Sequence, residues 1–129
     1  MHTSDTLSVQ PILALVDDDA ALLHALSFSF EVHGFRVAAF ANAEVALAGA
    51  NMAAWRCMVL DYKLPGMSGL DLMGRLRARG VSAPAILITS NPSLATRARA
   101  LLQGAEIVEK PLLDDELAVK VSRLWDAGV

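Results

Sequence analysis

Pro11-Ile12-Leu13-Ala14-Leu15-Val16-Asp17-Asp18 decides how the rest of the chain is read. A short apolar run goes straight into two carboxylates. A run of this length reads as a strand buried on both faces. The pattern returns three times. Cys57-Met58-Val59-Leu60 closes on Asp61, Ala85-Ile86-Leu87-Ile88 closes on Thr89, and Ile107-Val108 leads through Glu109 to Lys110-Pro111. In an open parallel sheet, ligands and chemistry collect outside the carboxyl ends of the strands. Four such ends, carrying three carboxylates, a hydroxyl and an ammonium, would form one acidic site. That site suits a hard divalent cation and a phosphoryl group.

Working outward, apolar runs at 11–16, 35–40, 56–60, 84–89 and 106–109 alternate with helical patterns at 19–33, 42–50, 67–79, 92–103 and 113–126. Five β-α repeats predict an α/β fold, a doubly wound five-stranded parallel sheet with helices on both faces. Asp19, Asn42 and Ser68 are placed to cap the first three helices, and Asn91-Pro92 reads as a cap followed by proline at the first helical position. Gly34 follows the first helix as a C-terminal glycine should. Asp114, Asp115 and Glu116 complement the dipole of the last helix, whose apolar stripe is Leu113, Leu117, Val121 and Leu124.

Composition narrows the function classes. The 129 residues are 54% apolar, above the ~45–50% of ordinary globular chains, as buried parallel strands require. They suffice for one domain, expected over residues 11–127, after a disordered tail at 1–10. The net charge of −3 gives no general attraction to nucleic acid. Arg75, Arg77, Arg79, Arg97 and Arg99 read as solvated helix faces. Cys57 is the only cysteine, so no internal disulfide forms, which suits a reducing cytoplasm; inside a strand it reads as a buried apolar residue. His2, His24 and His33 lack metal-ligand spacing. No stretch approaches the ~20 apolar residues that span a bilayer. Trp55, Trp125, Met67, Met73 and Tyr62 read as packing residues, and His24 as a solvent-facing one.

Adjacent carboxylates repel unless something compensates. Asp17 and Asp18, facing Asp61, therefore ask for a cation, and an oxygen-only ligand set favours Mg²⁺. Asp17-Asp18-Asp19 as a helix cap alone is the plainer alternative.

Val16-Asp17-Asp18, Leu60-Asp61-Tyr62-Lys63-Leu64-Pro65-Gly66-Met67-Ser68-Gly69, Ile88-Thr89-Ser90, Gly104-Ala105 and Lys110-Pro111, in this order and spacing, resemble the receiver domain of two-component response regulators. The resemblance covers about residues 11–126 and is greatest to the nitrogen-fixation type, whose usual output half is a helix-turn-helix DNA-binding domain. It implies the (βα)5 flavodoxin-like receiver fold, with Asp61 as phosphoacceptor, taking the group from a sensor histidine kinase or a phosphotransfer protein. It implies Mg²⁺ on Asp18, Asp61 and the backbone carbonyl of Lys63, with Asp17 holding a metal-bound water. Thr89 and Lys110 would contact the phosphoryl oxygens, and Lys110-Pro111 corresponds to a cis peptide. It further implies a homodimer through the face of the fourth helix, fifth strand and fifth helix, and no nucleic-acid binding by this chain.

Two features depart from the family pattern. Ile107 stands where an aromatic residue usually precedes the lysine by three, and the stretch from Gly104 to Lys110 is one residue shorter than in the nitrogen-fixation type. Both touch the output mechanism, not the phosphorylation chemistry. The expected function is thus a phosphoryl-accepting signalling domain, not an enzyme turning over an outside substrate. The alternatives are a degenerate receiver acting by protein contacts, and an aspartate-based phosphatase of the haloacid dehalogenase type; against the latter, Ala21 fills that motif's Thr/Val position. The chain ends soon after its last helix, as either a single-domain regulator or part of a longer one.

Overall fold

The computed structural model describes residues 10–112 and 115–128. Most of the expected tail, and the expected helix residues Leu113 and Asp114, lie outside the described residues. In chain order the elements are β1 (Ile12–Val16), α1 (Ala20–Val32), β2 (Val37–Phe40), α2 (Ala43–Leu47), a 3₁₀ turn (Met52–Ala54), β3 (Trp55–Asp61), α3 (Gly69–Ala78), β4 (Ala85–Thr89), α4 (Leu94–Leu102), β5 (Ala105–Glu109) and α5 (Glu116–Ala127). The strands form one parallel sheet in the order β2-β1-β3-β4-β5. The order reverses at β1, so a crevice opens between the carboxyl ends of β1 and β3.

Alternation along the strands feeds two cores. On one face, Ala14, Val16, Met58, Leu60 and Leu87 pack with Ala43 and Ala46 of α2, Leu72, Met73 and Leu76 of α3 and Ala100 of α4. On the other, Leu13, Leu15, Cys57, Val59, Ile86 and Ile88 pack with Phe30 of α1 and Leu117 and Val121 of α5. Each fully buried leucine or isoleucine stabilises the fold by about 1.5–3 kcal/mol relative to exposure. This two-sided burial is why β1 and β4 read as unbroken apolar runs. The Cys57 thiol lies in the second core, where burial pushes its pKa up to about 12; it is a packing residue, not a nucleophile. Trp55 is buried. Trp125 packs edge-on against Phe35 at 4.9 Å, under the Arg56 guanidinium.

The caps follow the sequence at three helices. Asp19 accepts from the Leu22 amide, Asn42 from Val45 and Ser68 from Asp71, whose carboxylate accepts in return from the Ser68 amide. Gly34 takes a φ of 94° at the end of α1, the left-handed geometry glycine enters without a steric penalty. The start of α4 differs from expectation. Ser93 caps it, accepting from Thr96 at 3.1 Å, while Asn91 has a φ of 43°. The ring of Pro92 disfavours a right-handed helical conformation in the residue before it. Asparagine tolerates the left-handed region, so the chain turns there and the helix starts beyond the proline. Helix α2 stops at Leu47, short of the expected 50, because the chain must turn through Asn51, at a φ of 62°, into β3. Asp115 precedes α5 without a side-chain capping bond, and Glu116 lies in the first turn.

Arg77 is not on a solvated face. It is half-buried and donates to the carbonyls of Val81, Ala83 and Gln103, tying the end of α3 to the end of α4. Arg75 and Arg79 are exposed. Among the described residues no helix is long and apolar enough to cross a membrane.

Candidate functional site

Among the described residues, the buried polar or charged side chains are Asp17, Asp61 and Thr89, at 3, 4 and 5% exposure. All three lie at carboxyl ends of strands, where the sequence places chemistry. Backbone bonds fix these ends. The Asp17 amide donates to Phe40, the Tyr62 amide to Ile88, and the Lys110 amide to Thr89 at 2.9 Å. Adjacent strand ends are thus locked in register around one crevice.

The loop after Asp61 is also pinned. Lys63 and Ser68 form an isolated antiparallel bridge, and the Gly69 amide donates to the Tyr62 carbonyl at 2.7 Å. A side-chain carbon at Gly69 would lie on the Asp61 carbonyl and 3.0 Å from Leu87 Cδ1. Glycine is what lets α3 start directly against the end of β3. Gly66, at a φ of 81°, makes a tight turn after Pro65.

Asp17, Asp18 and Asp61 each offer a carboxylate oxygen within 4.8 Å of the others. Asp17 Oδ1 accepts from the Asp19 amide at 2.9 Å, whereas Oδ2 is buried with no hydrogen-bond partner. Burial raises the Asp17 pKa above its ordinary value, opposed by the Asp19 amide; Asp61 and Asp18 push it further up, while Lys110 pulls it down. Lys110 Nζ lies 3.1 Å from Asp61 Oδ1, and the Lys110-Pro111 peptide is cis. A buried, unpartnered carboxylate oxygen beside two further carboxylates is a poor arrangement for a bare acid and a good one for a hard cation. The donor set therefore fits Mg²⁺.

A cleft of about 370 Å³ opens on Asp61, bounded by Tyr62, Lys63, Thr89, Ser90, Asn91, Thr96 and Lys110 among others. The structure thus brings together Asp17, Asp18, Asp61, Thr89, Lys110 and Lys63, with Lys63 exposed at the rim and Asp18 exposed. The sequence reading missed Ser93 and Thr96 at the far wall, whose hydroxyls bond to each other at 3.0 Å. Their three-residue spacing, Ser93-x-x-Thr96, was the available signal. A larger apolar cavity of about 650 Å³, between α1 and α5, holds none of the site residues.

The family profile described as the response regulator receiver domain matches residues 13–122. The chain belongs to the response regulator receiver family. This receiver is 36% identical to the response regulator protein TodT of Pseudomonas putida over 117 residues, 90% of this chain and 50% of that protein. It is 31% identical to the transcriptional regulatory protein FixJ of Bradyrhizobium diazoefficiens over 108 residues, 83% of this chain and 53% of that protein. The chain thus spans about half the length of these curated relatives. Its fold superposes on a CheY-like receiver domain from Methanospirillum hungatei with a TM-score of 0.82 at 26% identity, covering 92% of this chain and 96% of that one. The family places the chain in two-component signalling, and FixJ among its relatives agrees with the resemblance to the nitrogen-fixation type.

Proposed function

We propose that this receiver accepts a phosphoryl group on Asp61 from a histidine kinase or phosphotransfer protein, in a Mg²⁺-dependent reaction, and relays the signal by a conformational change. The observation that supports it most is the coincidence of Asp17, Asp61 and Thr89, the buried polar side chains of the described residues, with the Lys110 ammonium 3.1 Å from Asp61.

Each residue has a task in this reading. An Asp61 carboxylate oxygen attacks phosphorus; the phosphorus–nitrogen bond of the donor histidine breaks, and its electron pair stays on the imidazole. Hydrolysis reverses the modification, as water attacks phosphorus and the carboxylate leaves. Phosphoryl transfer needs positioning and neutralisation of charge. Lys110, paired with Asp61 at rest, transfers its bond to a phosphoryl oxygen, and the Thr89 hydroxyl donates to another. Asp18, Asp61 and the Lys63 carbonyl would hold Mg²⁺, with Asp17 accepting from a metal-bound water. When bound, Mg²⁺ neutralises charge on the transferring group. The acting unit is residues 11–127, a signalling domain of the cytoplasm that takes part chemically in its own modification without turning over an outside substrate. A homodimer uses the face of α4, β5 and α5, and this chain itself does not touch nucleic acid.

The experiment is incubation with acetyl phosphate, with and without Mg²⁺, followed by intact mass measurement. One phosphoryl group should be gained, only with Mg²⁺, and Asp18→Ala should remove that dependence. No uptake from either acetyl phosphate or a phosphohistidine donor would favour a receiver working by protein contacts alone.

A further inference from the structure

We propose that the Ser93–Thr96 hydroxyl pair is a leaving-group subsite for small acyl phosphates, and that it holds the attacking water when the phosphoryl group is hydrolysed. The proposal rests on Asp61 as phosphoacceptor and adds donor discrimination to the same cleft.

The direction of transfer selects the wall. Displacement at phosphorus is in line, with entering and leaving atoms on opposite sides. Asp61 is buried in the cleft, with Lys110 Nζ 3.1 Å away and Thr89 on the neighbouring strand. A group leaving from phosphorus held at Asp61 therefore points away from β3, into the open part of the cleft. Ser93 and Thr96 of the α4 side line that part. The cleft's volume of about 370 Å³ falls at the lower end of small-ligand sites, ~300–1,000 Å³. A donor with a small acyl group fits behind its phosphoryl group.

The hydroxyls are held for this task. Ser93 Oγ accepts from the Thr96 amide at 3.1 Å and donates to Thr96 Oγ1 at 3.0 Å. A hydroxyl carries one proton and two lone pairs. Ser93 thus spends its proton on Thr96, and the half-buried Thr96 hydroxyl keeps its own proton and a lone pair for the cleft. In transfer from acetyl phosphate, an Asp61 oxygen bonds to phosphorus, the bond from phosphorus to the acyl oxygen breaks, and its electron pair leaves with acetate. The Thr96 proton is donated as a hydrogen bond to that oxygen while its charge develops. In hydrolysis, water enters where acetate departed. Thr96 then accepts a hydrogen bond from the water, the Asp61 carboxylate leaves, and both water protons stay with the inorganic phosphate formed.

The test times phosphoryl uptake by the full chain with Mg²⁺, read by intact mass, from two donors. Acetyl phosphate releases an oxyanion; phosphoramidate releases neutral ammonia, which needs no hydrogen-bond donor. Thr96→Val keeps the β-branched shape and removes the hydroxyl. It should slow uptake from acetyl phosphate by roughly three- to tenfold, the worth of one hydrogen bond, and uptake from phosphoramidate by less than about twofold. Decay of the phosphorylated chain should slow as well. Thr96→Ser, which restores the hydroxyl, should return both rates to the parent's, with the melting temperature unchanged in both variants. An acetyl phosphate rate unaffected by Thr96→Val would overturn the proposal. Equal slowing with the two donors would also overturn it, because the hydroxyl would then act on the phosphoryl group and not on the leaving group. No uptake by the parent from either donor would overturn the phosphoacceptor reading, and this proposal with it.

Discussion

Asp17→Asn isolates the electrostatic logic of the site. Asparagine keeps the shape and an acceptor for the Asp19 amide, 2.9 Å from Oδ1 in the parent, but removes a charge whose second oxygen has no partner. Carboxylate oxygens of Asp18 and Asp61 lie within 4.8 Å; two unit charges at such a separation repel by about 3–4 kcal/mol at an effective dielectric of ~20. Lys110 offsets part of this, and the unfolded chain retains some repulsion. The variant should thus be more stable than the parent without metal, by about 1–2 kcal/mol, or roughly 4–8 °C in Tm. The sign with pH follows from the raised pKa of Asp17. The folded state holds this proton more tightly than the unfolded one, so Asp17 ionisation lowers parental stability as pH rises from the unfolded value, about 3.9, through the raised native one. The difference should therefore vanish at pH below ~4 and reach a plateau above the native pKa. Mg²⁺ should close most of this gap. A ligand at ten times its Kd stabilises by about 1.4 kcal/mol, a gain the parent should show and the variant largely lose. Thermal unfolding followed by circular dichroism across pH, with and without millimolar Mg²⁺, measures all three. A variant less stable than the parent at pH 7 without metal, or one with the full Mg²⁺ gain, would refute the reasoning.

Three further outcomes are expected. Gly69→Ala forces a carbon onto the Asp61 carbonyl and should cost about 1–3 kcal/mol in urea unfolding, whereas Gly74→Ala, with its nearest atom 3.8 Å away inside α3, should stabilise by about 0.5–1 kcal/mol. Lys63→Ala should change the decay rate of the phosphorylated chain more than Asn91→Ala, because Lys63 stands at the rim of the cleft, where its side chain can screen the phosphoryl group from water, while Asn91 forms the turn before Pro92; equal decay for Lys63→Ala and the parent would show that Lys63 does not screen it. Ile107, half-buried against the core beneath α4, has no ring to swing and is stiff at its first torsion, so Ile107→Ala should leave most of any phosphate-dependent dimerisation in place, read by sedimentation with a phosphoryl mimic.

The fold was legible because its signals are local and repeated. Runs such as Ile86-Leu87-Ile88 are buried on both faces and tolerate no polar break, so strand positions and fold class followed from the pattern, while the order of the strands in the sheet did not. The site was legible because strand ends carry its chemistry, and Asp17, Asp61 and Thr89 end their runs. What escaped the sequence depended on competition or distance. Asn91-Pro92 outweighed Ser93 as a cap signal, yet proline geometry moved the helix start two residues on. Arg77 looked like one of several surface arginines, but its bond to Gln103 joins residues 26 apart, and no periodicity reports that. No local signal set which side of α4 faces the sheet, and Leu94, Leu101 and Leu102 point outward.

The central claim is that Asp61 is the phosphoacceptor. Borohydride reduces an aspartyl phosphate to homoserine, so treating the chain after incubation with acetyl phosphate and Mg²⁺, then measuring the peptide masses, locates the modified residue. Homoserine at position 61, absent without Mg²⁺ and absent from Asp61→Asn, is the predicted result; homoserine at Asp17 or Asp18, or undiminished phosphate uptake by Asp61→Asn, would contradict it.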